Sequence, residues 1–438
     1  MKRNFYQNLC KWKNASNRKP LMVIGARQVG KTFTLQEFCA NEYGSHTMVN
    51  LFERGDIVEL YETEKMAQGR FEQLLLLLNI NPNNTDHILF VDEVQESEVF
   101  ISDLKYINEK HPNFNIVTAG SLLGVKLKRF NRHFPVGQVS FLRVYPMTFD
   151  EFLIALDASR YVDLIVDSFV NDKPIAGVIH EQLIRYYREY LCVGGMPESV
   201  LRFIENGTTL VGFERNILDD IVLAYKNDMN KYVSTDAEAL KIASTYDSLP
   251  GQMSNVARKF MYNKIQKSAR KRTYEIAIDW LIAAQMVAPC FLVSKPDSPL
   301  NRYRDTDSFK LYISDIGLLA NASRYSLANI VTGKLGEKGG ILAESYVAQE
   351  LVAGGIPLYY WMSKGTAEID FLLETDDGVI PVEVKAGDNV RSKSLVTYCN
   401  KYNPCYAIRV SSKNFGYQNM IKSVPLYAAF CLRDYKVK

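Results

Sequence analysis

The chain has 438 residues, 47% hydrophobic and 23% charged, with a net charge of +3. That length is too great for one ordinary core and points to about three domains, while the composition excludes a disordered or fibrous chain. So small a charge excess does not decide for or against a nucleic-acid partner, and seven scattered cysteines without a CxxC pair exclude a disulfide framework and a Cys/His zinc site and fit a reducing cytoplasm.

Taken in order, the opening stretch MKRNFYQNLCKWKN has no apolar core of the kind a signal peptide needs. PLMVI, ending at Ile24, is a short apolar run between Pro20 and Gly25 and predicts a buried parallel strand. KTFTLQEFCANE carries Phe33, Leu35 and Phe38 at helical spacing. Between them, Gly25, Ala26, Arg27, Gln28, Val29, Gly30, Lys31 and Thr32 fit G-x-x-x-x-G-K-[ST] in the required strand–loop–helix setting. Glycines at both ends let the backbone curl so that its N–H groups converge on phosphate oxygens, assisted by the helix N-terminus. Lys31 is expected to reach the β- and γ-phosphates of ATP, and Thr32 to offer its hydroxyl to Mg²⁺.

The run Leu74 to Leu78 is far short of a membrane span and reads as a buried helix, so no membrane partner is expected. HILFVDEVQ places four apolar residues, Ile88 to Val91, before Asp92 and Glu93 and predicts a central parallel strand opening at the phosphate site. Asp92 is expected to hold Mg²⁺ through water and Glu93 to polarise the attacking water. NIVTAGS predicts a third strand whose tip, Ser121, can sense the γ-phosphate.

GARQVGKT, LFVDEVQ, TAGS and YPMTFDEF together resemble AAA-type P-loop ATPases of bacteria and archaea, the archaeal-ATPase-like group. The resemblance implies a three-layer α/β/α domain with a parallel sheet, ATP and Mg²⁺ as ligands, and sites shared between subunits of a homo-oligomer. This chain departs from that group at Gln138, where a basic residue often follows the glycine. Arg129, Arg132 and Arg143 are then the alternatives for an arginine finger.

FDEFLIALD begins a helical region, and LIRYYREYLCVGGMPESV is punctuated by Gly194, Gly195 and Pro197. That phrase and FKLYISDIGLLAN resemble proteins in which such an ATPase is fused to a C-terminal domain of unknown function. AEALKIASTYDSLP, NVARKFMYNKI and SARKRTYEIAIDWLIAAQMV read as three helices, the third begun by Ser268 with Tyr274, Ile278, Leu281 and Ile282 on one face. Two strands joined by a polar loop follow, the order of a winged helix. Lys267, Arg270, Lys271 and Arg272 open the third helix, either to neutralise DNA phosphates or as a solvated face of a packing element.

AEIDFLLETDDGVIPVEVKAG alternates about a hairpin turn. With Asp377-Gly378 as the turn, Asp370 faces Lys385. With Asp376-Asp377, it faces Glu383. In both registers Glu368, Asp370, Glu383 and Lys385 share a sheet face, and two acids beside a lysine, as in Asp370, Glu383 and Lys385, suit a divalent metal and a developing phosphate charge. GGILAESYVAQELVAGG is a helix that brings Glu344 as a further metal ligand, and PLYYWMS and PCYAIRVS are strands. Glu344, Asp370, Glu383 and Lys385 in this element order resemble the restriction-endonuclease-like PD-(D/E)xK core, which implies Mg²⁺-dependent phosphodiester hydrolysis.

The expected fold is α/β: an AAA-type P-loop ATPase domain over residues 1–155, a helical linker or lid over 156–235, a winged-helix-like domain over 236–325 and a nuclease-like domain over 326–438. The expected function is a cytoplasmic, Mg²⁺-dependent ATPase whose nucleotide state controls a nuclease-like module acting on DNA. The alternative is an ATP-dependent switch whose C-terminal domain only binds a protein or nucleic-acid partner.

Overall fold

The computed structural model describes residues 1–128, 135, 137–231, 233, 235–253, 259–363, 367–387 and 393–433. The chain divides into two compact units, Lys2–Tyr145 with Ala283–Gln285, and Pro146–Ile282 with Met286–Lys438.

The first unit runs α1 (Asn4–Lys13), β1 (Leu21–Gly25), α2 (Lys31–Glu42), β2 (Ser45–Asn50), α3 (Gly55–Thr63), α4 (Ala67–Leu77), β3 (His87–Asp92), α5 (Glu98–Lys110), β4 (Asn115–Gly120), α6 (Leu123–Lys128) and β5 (Ser140–Val144). Its five strands form one parallel sheet in the order β2-β3-β4-β1-β5. Strands β1, β3 and β4 are buried almost throughout, as their unbroken apolar runs require of a sheet covered on both faces. Met22, Ile24, Leu89, Val91 and Ile116 pack with Ile57, Tyr61, Phe71 and Leu104 of α3, α4 and α5 into one core. Because all strands point the same way, their C-terminal ends line one edge of the sheet.

The leucine run corrects the sequence reading. Leu74 and Leu75 are buried, but Leu76 is 80% exposed and Leu77 49% exposed. A helix of 3.6 residues per turn cannot turn five consecutive side chains inward, and the core of this unit lies on one side of α4 only.

The second unit begins with five helices, α7 (Phe149–Ala155), α8 (Ser159–Asn171), α9 (Gly177–Val193), α10 (Pro197–Glu205) and α11 (Asn216–Lys231). Then come α12 (Asp236–Met253), α13 (Lys271–Ala283), β6 (Val287–Val293), β7 (Arg304–Ile313), α14 (Ile316–Ala322), α15 (Leu327–Val331) and α16 (Glu337–Ala353). The chain ends with β8 (Leu358–Met362), β9 (Glu368–Ile369), β10 (Phe371–Thr375), β11 (Gly378–Val384), α17 (Lys393–Tyr402), β12 (Ala407–Ser411), β13 (Gly416–Gln418) and β14 (Ile421–Pro425). It holds a sheet β7-β6-β8-β9 and a sheet β10-β11-β12-β14-β13.

The helix expected over NVARKFMYNKI lies partly outside the described residues, and in its described part only a 3-10 turn, Tyr262–Lys264, forms. The next helix starts at Lys271 rather than Ser268. The antiparallel pair β6–β7 is present as expected, but it is not a free wing, because β8 adds to β6 in parallel.

The glycine pair before Pro197 is a packing device. Gly194 caps α9 at φ +77°, and a Cβ there would lie 2.8 Å from Cα of Gly317. The Asp315 carboxylate accepts the N–H groups of Gly195 and Leu318, at 2.6 and 2.9 Å, and so locks the end of α9 to the start of α14. The carbonyl of Gly195 accepts Met147 N–H at 2.6 Å, and Glu350 on α16 accepts Phe149 N–H at 2.9 Å. The YPMTFDEF segment is thereby held from Met147 onward within the second unit.

Candidate nucleotide-binding site

The phosphate loop leaves β1 at Gly25, where a Cβ would come within 2.6 Å of the Val144 carbonyl on β5. Only glycine allows the two strands this approach. The loop then passes through two left-handed residues, Gln28 at φ +63° and Gly30 at φ +85°, before α2 begins at Lys31. Ala26 and Val29 are buried and anchor the loop, while Arg27 and Gln28 stand exposed at its lip.

Lys31 is buried, and its Nζ donates to the carbonyls of Gly25 and Ala26 at 2.9 and 2.7 Å. Burying an ammonium is costly unless its charge is compensated, and a polyanion in the loop would supply that compensation. Thr32 Oγ1 donates to Asp92 Oδ2 at 2.6 Å, and Asp92 Oδ1 accepts the N–H of Glu93 at 2.9 Å. Glu93 adopts the left-handed conformation, φ +50° and ψ +40°, at the turn where β3 ends. Ser121 directly follows β4, the strand between β3 and β1. Lys31, Thr32, Asp92, Glu93 and Ser121 therefore converge on one sheet edge.

The residues fit Mg²⁺–ATP: a loop with curled amides, a buried ammonium, and a hydroxyl–carboxylate pair of the oxygen chemistry that Mg²⁺ prefers. Thr32 and Asp92 would hold the ion.

Among the arginine-finger alternatives, Arg129 and Arg132 lie outside the described residues, and Arg143 is exposed on β5. Gln138 Oε1 accepts Asn108 Nδ2 at 2.6 Å. Reading the sequence missed Arg3, which is buried and donates to the carbonyls of Val29 and Tyr145 at 2.6 and 2.7 Å, clamping the loop to the end of β5. No local motif marks that residue.

The C-terminal carboxylates also gather. The β10–β11 register pairs Phe371 with Val382 and Thr375 with Gly378, so the turn is Asp376-Asp377 and Asp370 comes opposite Glu383. The Asp377-Gly378 register is not adopted, because Gly378, at φ +109°, already pairs as the first residue of β11. Asp370 Oδ2 accepts the N–H of Val384 at 2.8 Å. Burial, then the nearby Glu344 and Glu383, hold its carboxyl well above the usual range.

Lys310 of β7, which sequence reading missed, reaches this cluster. Its Nζ lies 2.7 Å from Glu344 Oε1 and 2.7 Å from Glu368 Oε1. Burial alone disfavours the ammonium, but Glu344 and Glu368 outweigh it and raise the lysine above its ordinary pKa. Tyr312 OH also donates to Glu344, at 2.5 Å, and Lys385 pairs with Glu383, at 2.5 Å. Of the carboxylates expected to ligate a metal, Glu344 is thus paired with Lys310 and Glu383 with Lys385, and among the described residues no three His, Cys, Asp or Glu side chains are grouped to hold an ion. Two of the three carboxylates of that expected centre, Glu344 and Glu383, therefore face a lysine.

The basic residues near α13 are all exposed, and Lys271 is paired with Asp307 at 2.5 Å. Among the described residues no helix is long and apolar enough to cross a membrane.

The fold and the site define an AAA-type P-loop domain in the N-terminal part of the chain. Residues 17–153 match the family model described as AAA domain, which supports ATP binding and ATPase function there. Residues 184–328 and 339–429 match two models described as domains of unknown function, DUF8612 and DUF4143. Among curated proteins none matches the chain. Of solved structures, the chain is similar to the Walker-type ATPase PABY2304 of Pyrococcus abyssi, at 16% identity and a TM-score of 0.42, covering 74% of this chain and 95% of that one. It is also similar to the Aeropyrum pernix ORC2 protein in its ADPNP–ADP complexes, at 12% identity and a TM-score of 0.35, covering 76% and 95%. A third is Cdc6p from Pyrobaculum aerophilum, at 13% identity and a TM-score of 0.28, covering 76% and 96%. None of these overlaps is close enough to transfer a function.

Proposed function

We propose that this chain is an ATP-dependent molecular switch. Its N-terminal domain binds and hydrolyses Mg²⁺–ATP, and its C-terminal α/β domain is a restriction-endonuclease-like module that binds a macromolecular partner without cleaving it. The observation that carries the ATPase half is the Thr32–Asp92 hydrogen bond beside a buried Lys31. In this reading the loop amides and Lys31 hold the triphosphate, and Mg²⁺ at Thr32 and Asp92 neutralises its charge. Glu93 orients the attacking water, and Ser121 senses the terminal phosphate.

The switch half rests on Lys310, whose ammonium pairs with Glu344, one of the carboxylates a nuclease would need for its metal, and with Glu368. Nucleotide state has a covalent route onward. Val144 pairs with Gly25 in the sheet, and three residues later Met147 is held by Gly195 in the second unit.

A nuclease is the second reading, favoured by Asp370 lying opposite Glu383 with Lys385 two residues on. Titration of a fluorescent ATP analogue into the wild type and Lys31→Ala tests the first claim: loss of binding in the variant is expected, and equal affinity would refute it. Incubation of DNA with Mg²⁺ or Mn²⁺ tests the second, and cleavage by the wild type that Asp370→Ala abolishes would establish the nuclease.

A further inference from the structure

Gln95 follows Glu93 by two residues, in the 3-10 turn Val94–Glu96, and is 1% exposed. Its Nε2 donates to Oε2 of Glu93. Its other amide atom, Oε1, lies against Gly120, the last residue of β4: a Cβ at position 120 would come within 2.2 Å of it. That Oε1 is buried with no hydrogen-bond partner among the described residues. Leaving an amide oxygen unmatched in the interior is destabilising, so stability alone does not account for a glutamine here. What the side chain achieves is geometric. It bridges the tip of β3, where Glu93 sits in a left-handed conformation, to the tip of β4, immediately before Ser121.

We propose that Gln95 is the positioning residue that fixes the Glu93 carboxylate, and that position 120 is glycine in order to admit it. This rests on the ATPase reading above and names a residue for it. Among the described residues the Glu93 carboxylate takes its hydrogen bond from Gln95, and a water-orienting group that wanders by about 1 Å loses rate on the order of 100-fold. Gly120→Ala would displace the Gln95 amide and release Glu93 without touching it.

The test uses the full chain with Mg²⁺–ATP, following phosphate release and the affinity of a fluorescent ATP analogue. Gln95→Met keeps the bulk and removes the donor, so folding, checked by thermal unfolding, is preserved. The expected result is a kcat at least about 10-fold lower with nucleotide affinity unchanged within about 2-fold. In a Glu93→Gln background, Gln95→Met lowers the residual single-turnover rate no further. Gly120→Ala reproduces the loss, whereas in a Gln95→Ala background Gly120→Ala has no added effect, because the obstructed amide is gone. Wild-type kcat in Gln95→Met, or losses that multiply in the Glu93→Gln double variant, would overturn the proposal. Wild-type turnover in Glu93→Gln alone would overturn the ATPase assignment itself, and that outcome is read separately.

Discussion

The Thr32 hydroxyl donates a 2.6 Å hydrogen bond to Asp92 Oδ2 although β1, which leads into α2, and β3 are not neighbours, β4 standing between them. A residue at the start of α2 and one at the end of β3 meet across the sheet edge, which is the arrangement a shared magnesium needs. Asp92→Ala is expected to weaken Mg²⁺ affinity in the presence of ATP by roughly 10- to 100-fold, while ATP still binds the loop. Magnesium titrations of nucleotide binding in the wild type and the variant check this, and an unchanged Mg²⁺ dependence would contradict it.

Lys310 compensates the buried Glu368 and the half-buried Glu344 at once. Lys310→Met removes this ammonium from Glu344 and Glu368 and is expected to destabilise the second unit by about 3–5 kcal/mol. Adding Glu344→Gln and Glu368→Gln should recover most of that loss. Urea unfolding of the single and triple variants decides, and a triple variant no more stable than the single one would contradict the ion-pair account.

Glu350 supplies a pH dependence. Burial raises its carboxyl to about 8, only partly offset by Arg433, with Asp150 and Glu151 also facing it. A folded-state pKa above the unfolded value contributes stability that is present below the unfolded pKa and lost as pH rises through the folded one. Thermal stability of the wild type is therefore expected to fall between pH 6 and pH 9 relative to Glu350→Gln. Parallel curves for the two proteins over that range would refute the assignment.

Gly194 lies at φ +77° and ψ −170°, a region essentially restricted to glycine. Gly194→Ala adds a Cβ 2.8 Å from Cα of Gly317 and is expected to cost at least about 1–3 kcal/mol from backbone strain before any clash is counted. Denaturant midpoints of the full chain measure this, and a variant as stable as the wild type would show that the glycine pair is not the lock described.

The phosphate loop was legible because its chemistry is written in eight consecutive residues flanked by the strand and helix that display it. Asp92 and Glu93 were legible because an apolar run ending in acids marks a buried strand reaching a site edge. The hairpin was legible only as to face. Asp377-Gly378 and Asp376-Asp377 leave the same residues on one side, and only the pairing of Thr375 with Gly378 selects between them. Lys310 was not legible, since β7 lies well upstream of Asp370 in the chain and a lysine in FKLYIS carries no motif. Gln95 and Gly120 were missed for the same reason: neither residue reveals that the side chain of one fills the space left by the other. The leucine run looks buried by composition, but the helical period turns Leu76 and Leu77 outward.

The central claim is that the N-terminal site turns over ATP with Glu93 orienting water. Phosphate release at saturating Mg²⁺–ATP, measured for the wild type and Glu93→Gln alongside nucleotide affinity, tests it most directly. The account predicts retained binding with turnover lowered by about 100-fold or more in the variant. Equal turnover by the two proteins, or no hydrolysis by the wild type, would contradict it.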